Sequence, residues 1–140
     1  MVRKLSLIVL VALWACARAH TTDVTIGKSV FHVQVAATEA LREHGLMGVR
    51  ALTPDRGMLF LWNDVAQRQF YMKNTLIPLD LISIRARHVV GVATMVPCLR
   101  DPCLITTTPP ADSALEVLAG TAKRAGITAG ALVDSAALMR

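Results

Sequence analysis

From residue 20 onward, apolar runs of a few residues are interrupted again and again by Gly, Pro, Asn or Asp, and this punctuation restricts the fold more than any other feature. Runs that short do not build a helical bundle, and those rich in β-branched residues suit a sheet. Phe31, Val33 and Val35 alternate with His32 and Gln34, the period-two pattern of a half-buried strand. The Gly27-Lys28-Ser29 step before them predicts a hairpin joining residues 24–26 to 30–36. Further strands are expected at 57–62, 67–72, 79–85, 89–96, 114–118 and 131–133, with Asn63-Asp64, Pro78 and the region of Arg87 as breaks. Thr38 reads as an N-cap with Glu39 in the first turn, Arg42 and His44 late and Gly45 as the stop, which predicts a helix over 39–44. A second helical turn fits 121–125, ended by Gly126. With no strand–helix alternation, the expected form is mainly β, at most α+β: a compact antiparallel sheet or partly closed barrel of about eight short strands.

The chain has 140 residues, enough for one domain with a real core. Its hydrophobic share of 54% is high, but much of the excess lies in the first fifteen residues. Met1 to Ala19 has the three parts of a secretory signal: Arg3 and Lys4, an apolar run over 5–15, and the small-residue end Ala17-Arg18-Ala19. The run is too short to span a bilayer, which takes roughly 18 residues or more. Cleavage after Ala19 would release a soluble periplasmic domain, whereas Leu13-Trp14-Ala15-Cys16 resembles a lipoprotein box that would make Cys16 a lipid-anchored first residue. The expected division is a signal segment over 1–19 and a single β-rich domain over 20–140.

Export also changes how the charge is read. The formal net charge is +5, but all ten acidic residues and only twelve of the fifteen basic ones lie from residue 20 onward. The domain therefore carries an excess of about two positive charges by the usual protonation states. That is far from the clustered basic face of a nucleic-acid binder and from a polybasic membrane patch, so membrane contact is expected only through a lipid at Cys16.

In an oxidising compartment Cys98 and Cys103 form the remaining pair, and an even pair there predicts a disulfide. Their C-x4-C spacing, without a nearby His or a second pair, argues against a redox dithiol or a metal site. Met47, Met58, Met72 and Met95 raise copper binding, but none stands in an M-x-x-M or H-x-M pair and each sits in an apolar string, where Met fills core. His20, His32, His44 and His88 have no metal-ligand spacing, and no nucleophile elbow, phosphate loop or dinucleotide fingerprint is present. No metal or cofactor is expected, and His32 should point to solvent.

Several strings, taken in order, resemble the bacterial and archaeal family catalogued as domain of unknown function 192. They are Arg42 with Gly45-Leu46-Met47, Gly57-Met58-Leu59-Phe60, Phe70-Tyr71-Met72-Lys73-Asn74-Thr75 with Ile77-Pro78-Leu79-Asp80, Met95-Val96-Pro97-Cys98, and Leu115-Glu116-Val117 with Ala119-Gly120 and Gly126-Ile127. The resemblance implies a compact β-rich domain, often behind an export signal, and no established activity. The sequence departs from that pattern at Tyr71, where Trp is common, at Leu118, where Asn is common, and at Ala131, where an acid often stands.

The polar island Lys73-Asn74-Thr75, with Asp80 just beyond Pro78, is the leading candidate for a site, and Arg42 and Glu116 are candidates to extend it. A buried Lys73–Asp80 pair would orient a ligand carboxylate or amine. Polar turn residues ordinarily serve backbone hydrogen bonds, and that structural role outweighs the binding role here. Two functions follow: a non-enzymatic periplasmic module binding a small molecule or an envelope protein, which is favoured, or an envelope hydrolase or lyase using Lys73 with Asp80 or Glu116 as acid and base.

Overall fold

The computed structural model describes residues 20–139, so the signal segment expected over 1–19, including Cys16, lies outside the described residues. The chain runs β1 (Thr21–Ile26), β2 (Ser29–Ala36), α1 (Glu39–His44), β3 (Arg56–Ala66), β4 (Gln69–Tyr71), β5 (Leu79–Arg85), β6 (His88–Met95), β7 (Ile105–Thr107), β8 (Ala111–Leu118), α2 (Thr121–Arg124) and β9 (Val133–Asp134), with a 3-10 turn at Ala136–Leu138. Seven strands make one sheet in the order β6-β5-β8-β3-β2-β1-β9, and β4 pairs with β7 in a separate two-stranded sheet.

The hairpin β1–β2 forms as its pattern predicts. Gly27 supplies the positive φ of 61° that the turn requires, Phe31, Val33 and Val35 are buried, and His32 and Gln34 are exposed. The three central strands differ, because each carries an almost unbroken buried run: Gly57–Leu61 in β3, Leu79–Ile84 in β5 and Ser113–Val117 in β8. Such runs mean that both faces of the sheet are covered. Alternate residues accordingly feed two cores. Leu59, Leu61, Ile82, Ile84, Leu115 and Val117 pack inward with Val24, Phe31 and Val33. Met58, Phe60, Leu79, Leu81 and Ala114 pack on the opposite face with Leu46, Met72, Ile77 and Met95. Met58, Met72 and Met95 are therefore buried core residues, while Met47 lies half-buried at a cleft described below.

The sheet curls until its two edge strands meet. Val89 N donates to Ala131 O (2.9 Å), Gly130 N to Val89 O (2.8 Å) and Val133 N to Arg87 O (2.8 Å), which seals β6 against the segment leading into β9. A partly closed barrel is thus the observed form. One pairing departs from the sequence expectation: β2 and β3 are parallel. A parallel neighbour needs a crossover of a dozen or more residues, and the stretch between Ala36 and Arg56, with α1 at its start, provides it. A single six-residue helix was too slight a signal to reveal that unit among so many antiparallel steps. The strand expected over 67–72 shrinks to β4 and leaves the main sheet for β7, a three-residue partner that no periodicity announced. The strand expected at 131–133 is displaced to Val133–Asp134, its predecessors being used in the seal.

Candidate functional site

On the second face of the sheet the register sets Glu116 of β8 between Met58 of β3 and Leu81 of β5. Alternation along β8 sends Leu115 and Val117 inward and leaves Glu116 on this apolar face, where it is only 6% exposed. Among the described residues its carboxyl makes no hydrogen bond and no ion pair, and burial pushes its pKa from the ordinary 4.5 up to about 8. Gly57 contributes to the placement: a side-chain carbon there would overlap the Glu116 carbonyl oxygen, so the close approach of β3 to β8 depends on glycine.

Above Glu116 lies a cleft of about 480 Å³. One wall is α1 and the turn after it, with Arg42, His44 and Met47. The other comes from β3, β4 and their connection, with Phe60, Trp62, Arg68, Phe70 and Tyr71, and Thr75 closes the end. Phe60 and Trp62 stack at 6.2 Å, and Phe70 meets both edge-on at 5.3 and 6.1 Å. Two guanidinium groups lie over the Trp62 ring, Arg68 at 4.7 Å and Arg42 at 5.7 Å from its centroid. Both are also engaged elsewhere. Arg42 donates to the carbonyls of Ala37 (2.8 Å) and Leu61 (2.9 Å), and Arg68 to the Asp64 carboxylate and carbonyl, both at 2.8 Å. The Arg68 Nε is buried and finds no acceptor among the described residues. A wider depression of about 920 Å³ lies alongside, against Asp23 and His32, but among the described residues no buried polar side chain lines it.

The six residues singled out from the sequence divide into two groups. Arg42, Thr75 and Glu116 line the one cleft. Lys73, Asn74 and Asp80 do not line it. Lys73 does not pair with Asp80 as expected; its ammonium pairs with Asp101 on the disulfide loop, and that partner raises its pKa. Asn74 takes a left-handed turn conformation (φ 58°), its N–H donating to Cys98 O and its carbonyl accepting from Gly48 N. Asp80 is 2% exposed and satisfied from within: Thr94 Oγ1 donates to it at 2.7 Å and Ala122 N at 2.9 Å, which fastens the start of α2 to β5. The Lys73–Asp80 acid–base couple is therefore not assembled, because each partner has a nearer one. Cys98 and Cys103 are bridged, with Cα atoms 5.7 Å apart.

The aromatic wall escaped the sequence reading, although a signal for it existed. The chain has only six aromatic residues, and Phe60, Trp62, Phe70 and Tyr71 are four of them within twelve positions. Scarce aromatics concentrated in two neighbouring segments point to a shared surface.

A family profile described as uncharacterized ACR, domain of unknown function 192, matches residues 22–135. No curated protein matched the sequence. Among solved structures, a Sinorhizobium meliloti 1021 protein provisionally named a transcription regulator is similar with a TM-score of 0.78 and 30% identity, over 84% of this chain and 95% of the other. A Novosphingobium aromaticivorans DSM 12444 protein of unknown function is similar with a TM-score of 0.76 and 31% identity, over 86% of this chain and 89% of the other. With the profile matched across most of its length and two like-folded structures at this identity, the chain belongs to the domain of unknown function 192 family.

Proposed function

We propose that this protein is an exported, non-enzymatic binding module that takes a small molecule into the cleft above Glu116. The observation that carries the reading is the buried carboxyl with no partner among the described residues, opening into a concave site. The carboxyl borders the open cleft, so a ligand group there can supply the hydrogen bond or ion pair that the described residues do not. The cleft falls in the size range of small-molecule sites, about 300–1,000 Å³, and its lining sets four aromatic side chains beside eight polar or charged ones. The periplasmic location rests on the signal pattern of residues 1–19, and the Cys98–Cys103 bridge is compatible with it. The hydrolase or lyase alternative loses its main support with Lys73 turned toward Asp101 and Asp80 held by Thr94 and Ala122. Nor does the regulator name of the S. meliloti protein transfer readily, since twelve basic residues against ten acidic ones make no DNA footprint.

Native mass spectrometry of the protein purified from its own cells tests the reading. The expected spectrum has a non-covalent adduct on the wild-type domain that is lost in Glu116→Leu, on a chain beginning near His20 or on a lipidated Cys16. A bare wild-type mass, together with Trp62 fluorescence that a small-molecule extract of the same cells leaves unchanged, would overturn it.

A further inference from the structure

We infer that the ligand of this cleft carries a protonated amine, which lies against the Glu116 carboxylate and is flanked by the aromatic wall of Phe60, Trp62, Phe70 and Tyr71. The inference rests on the binding reading above and narrows it to a chemical class. The polar groups of the cleft are not equally available. Arg42 is bonded to two backbone carbonyls and Arg68 to Asp64, so an anionic ligand would have to compete with acceptors already in place. Glu116 has no partner among the described residues, and Glu39 and Glu43 on the α1 rim make no ion pair there either. Apart from the buried Arg68 Nε–H, the unspent capacity of the site among the described residues is therefore acidic. Aromatic rings lining the same cleft as a carboxylate suit an organic cation, because the ring quadrupole attracts it and the buried carboxylate is poorly screened. The aromatic wall also takes up the hydrocarbon part of such a ligand.

Proton balance gives this class a signature. Burial holds the Glu116 proton up to about pH 8, so at neutral pH an arriving ammonium meets a carboxylic acid and must displace its proton to the buffer. Affinity should then rise about tenfold per pH unit up to about pH 8, and level off until the amine itself deprotonates near the lysine range, about 10.4. The other titratable or charged groups lining the cleft are Glu39, Arg42, Glu43 and His44 from α1 and its end, Arg68, and Tyr71 of β4; the strand neighbours of Glu116 are Met58 and Leu81.

Isothermal titration of the mature protein with phenethylamine, 2-phenylethanol and phenylacetate separates the possibilities. The expected result is that phenethylamine binds at least about tenfold tighter than the alcohol at pH 8, with the pH slope just described. Glu116→Gln should lower its affinity to that of the alcohol and abolish the slope, while His44→Gln keeps it. Binding of the alcohol or of phenylacetate as tight as that of the amine, or an unchanged slope in Glu116→Gln, overturns the amine and leaves the binding reading standing. Failure of all three probes also overturns the amine; the co-purified adduct then decides the binding reading separately.

Discussion

A carboxyl with a pKa near 8 in the fold and the ordinary 4.5 in the unfolded chain holds its proton more tightly when folded. Its contribution to stability is therefore fully present below about pH 4.5, is lost progressively as pH rises to about 8, and is constant above that. The whole loss is on the order of 5 kcal/mol for this shift. Glu116→Gln removes the titration while keeping the shape, so urea unfolding should find the variant close to wild type near pH 4.5 and several kcal/mol more stable near pH 8.5. Asp80 presents the opposite case, a buried carboxylate with its partners in place. Asp80→Ala should destabilise by about 2–4 kcal/mol in the same assay, through two lost hydrogen bonds and an orphaned Ala122 N–H, and should leave phenethylamine affinity unchanged. The sequence marked both acids as candidates without separating them. Their difference lies in the partners that strand pairing and α2 bring to one and not to the other, and these are more than ten positions away in the chain.

At the scale of elements, none of the residues of α1 is buried, so the helix contributes little core of its own. Arg42 holds it, bonded to Ala37 O at the base of the helix and to Leu61 O on β3, with its guanidinium over Trp62. Arg42→Ala should cost about 1–3 kcal/mol and speed amide hydrogen exchange in α1 more than in β3 or β8. The disulfide loop ties the end of β6 toward β7 through the Cys98–Cys103 bridge and the Lys73–Asp101 pair. Replacing both cysteines by Ser should lower stability by about 2 kcal/mol, the loop-closure value for so small a ring, with cleft affinity retained; denaturant midpoints and calorimetry check the two halves. Most strands and both helices were legible because burial on one face writes a period of two, and Thr38 and Gly45 write the limits of α1. The parallel β2–β3 pairing and the departure of β4 to β7 were not, since direction and partner are set by what packs across the sheet and leave no local trace.

For the whole molecule, one consequence of curling the sheet is that its two faces become chemically unlike. The inner face closes on Val24, Phe31, Val33, Leu115 and their neighbours and is sealed where residues 130–133 meet β6. The outer face is covered piecemeal, by α1 and the turn after it on one side and the β4 region on the other, and the incomplete cover leaves the cleft over Glu116. Architecture was therefore readable from the chain, whereas the site was half readable: Arg42, Thr75 and Glu116 were named, but Trp62 and its aromatic neighbours become a wall only when β3 and β4 are folded past each other. Binding in the cleft depends on Glu116 being a buried acid that none of the described residues satisfies. A carbon-13 NMR titration of the Glu side-chain carboxyls, with Glu116→Gln to assign the signal, measures this directly. The expected midpoint for Glu116 in the ligand-free protein is about 8, moving down when phenethylamine is added. A midpoint near the ordinary 4.5, unmoved by the amine, would mean that the carboxyl is already solvated or paired, and would contradict the account.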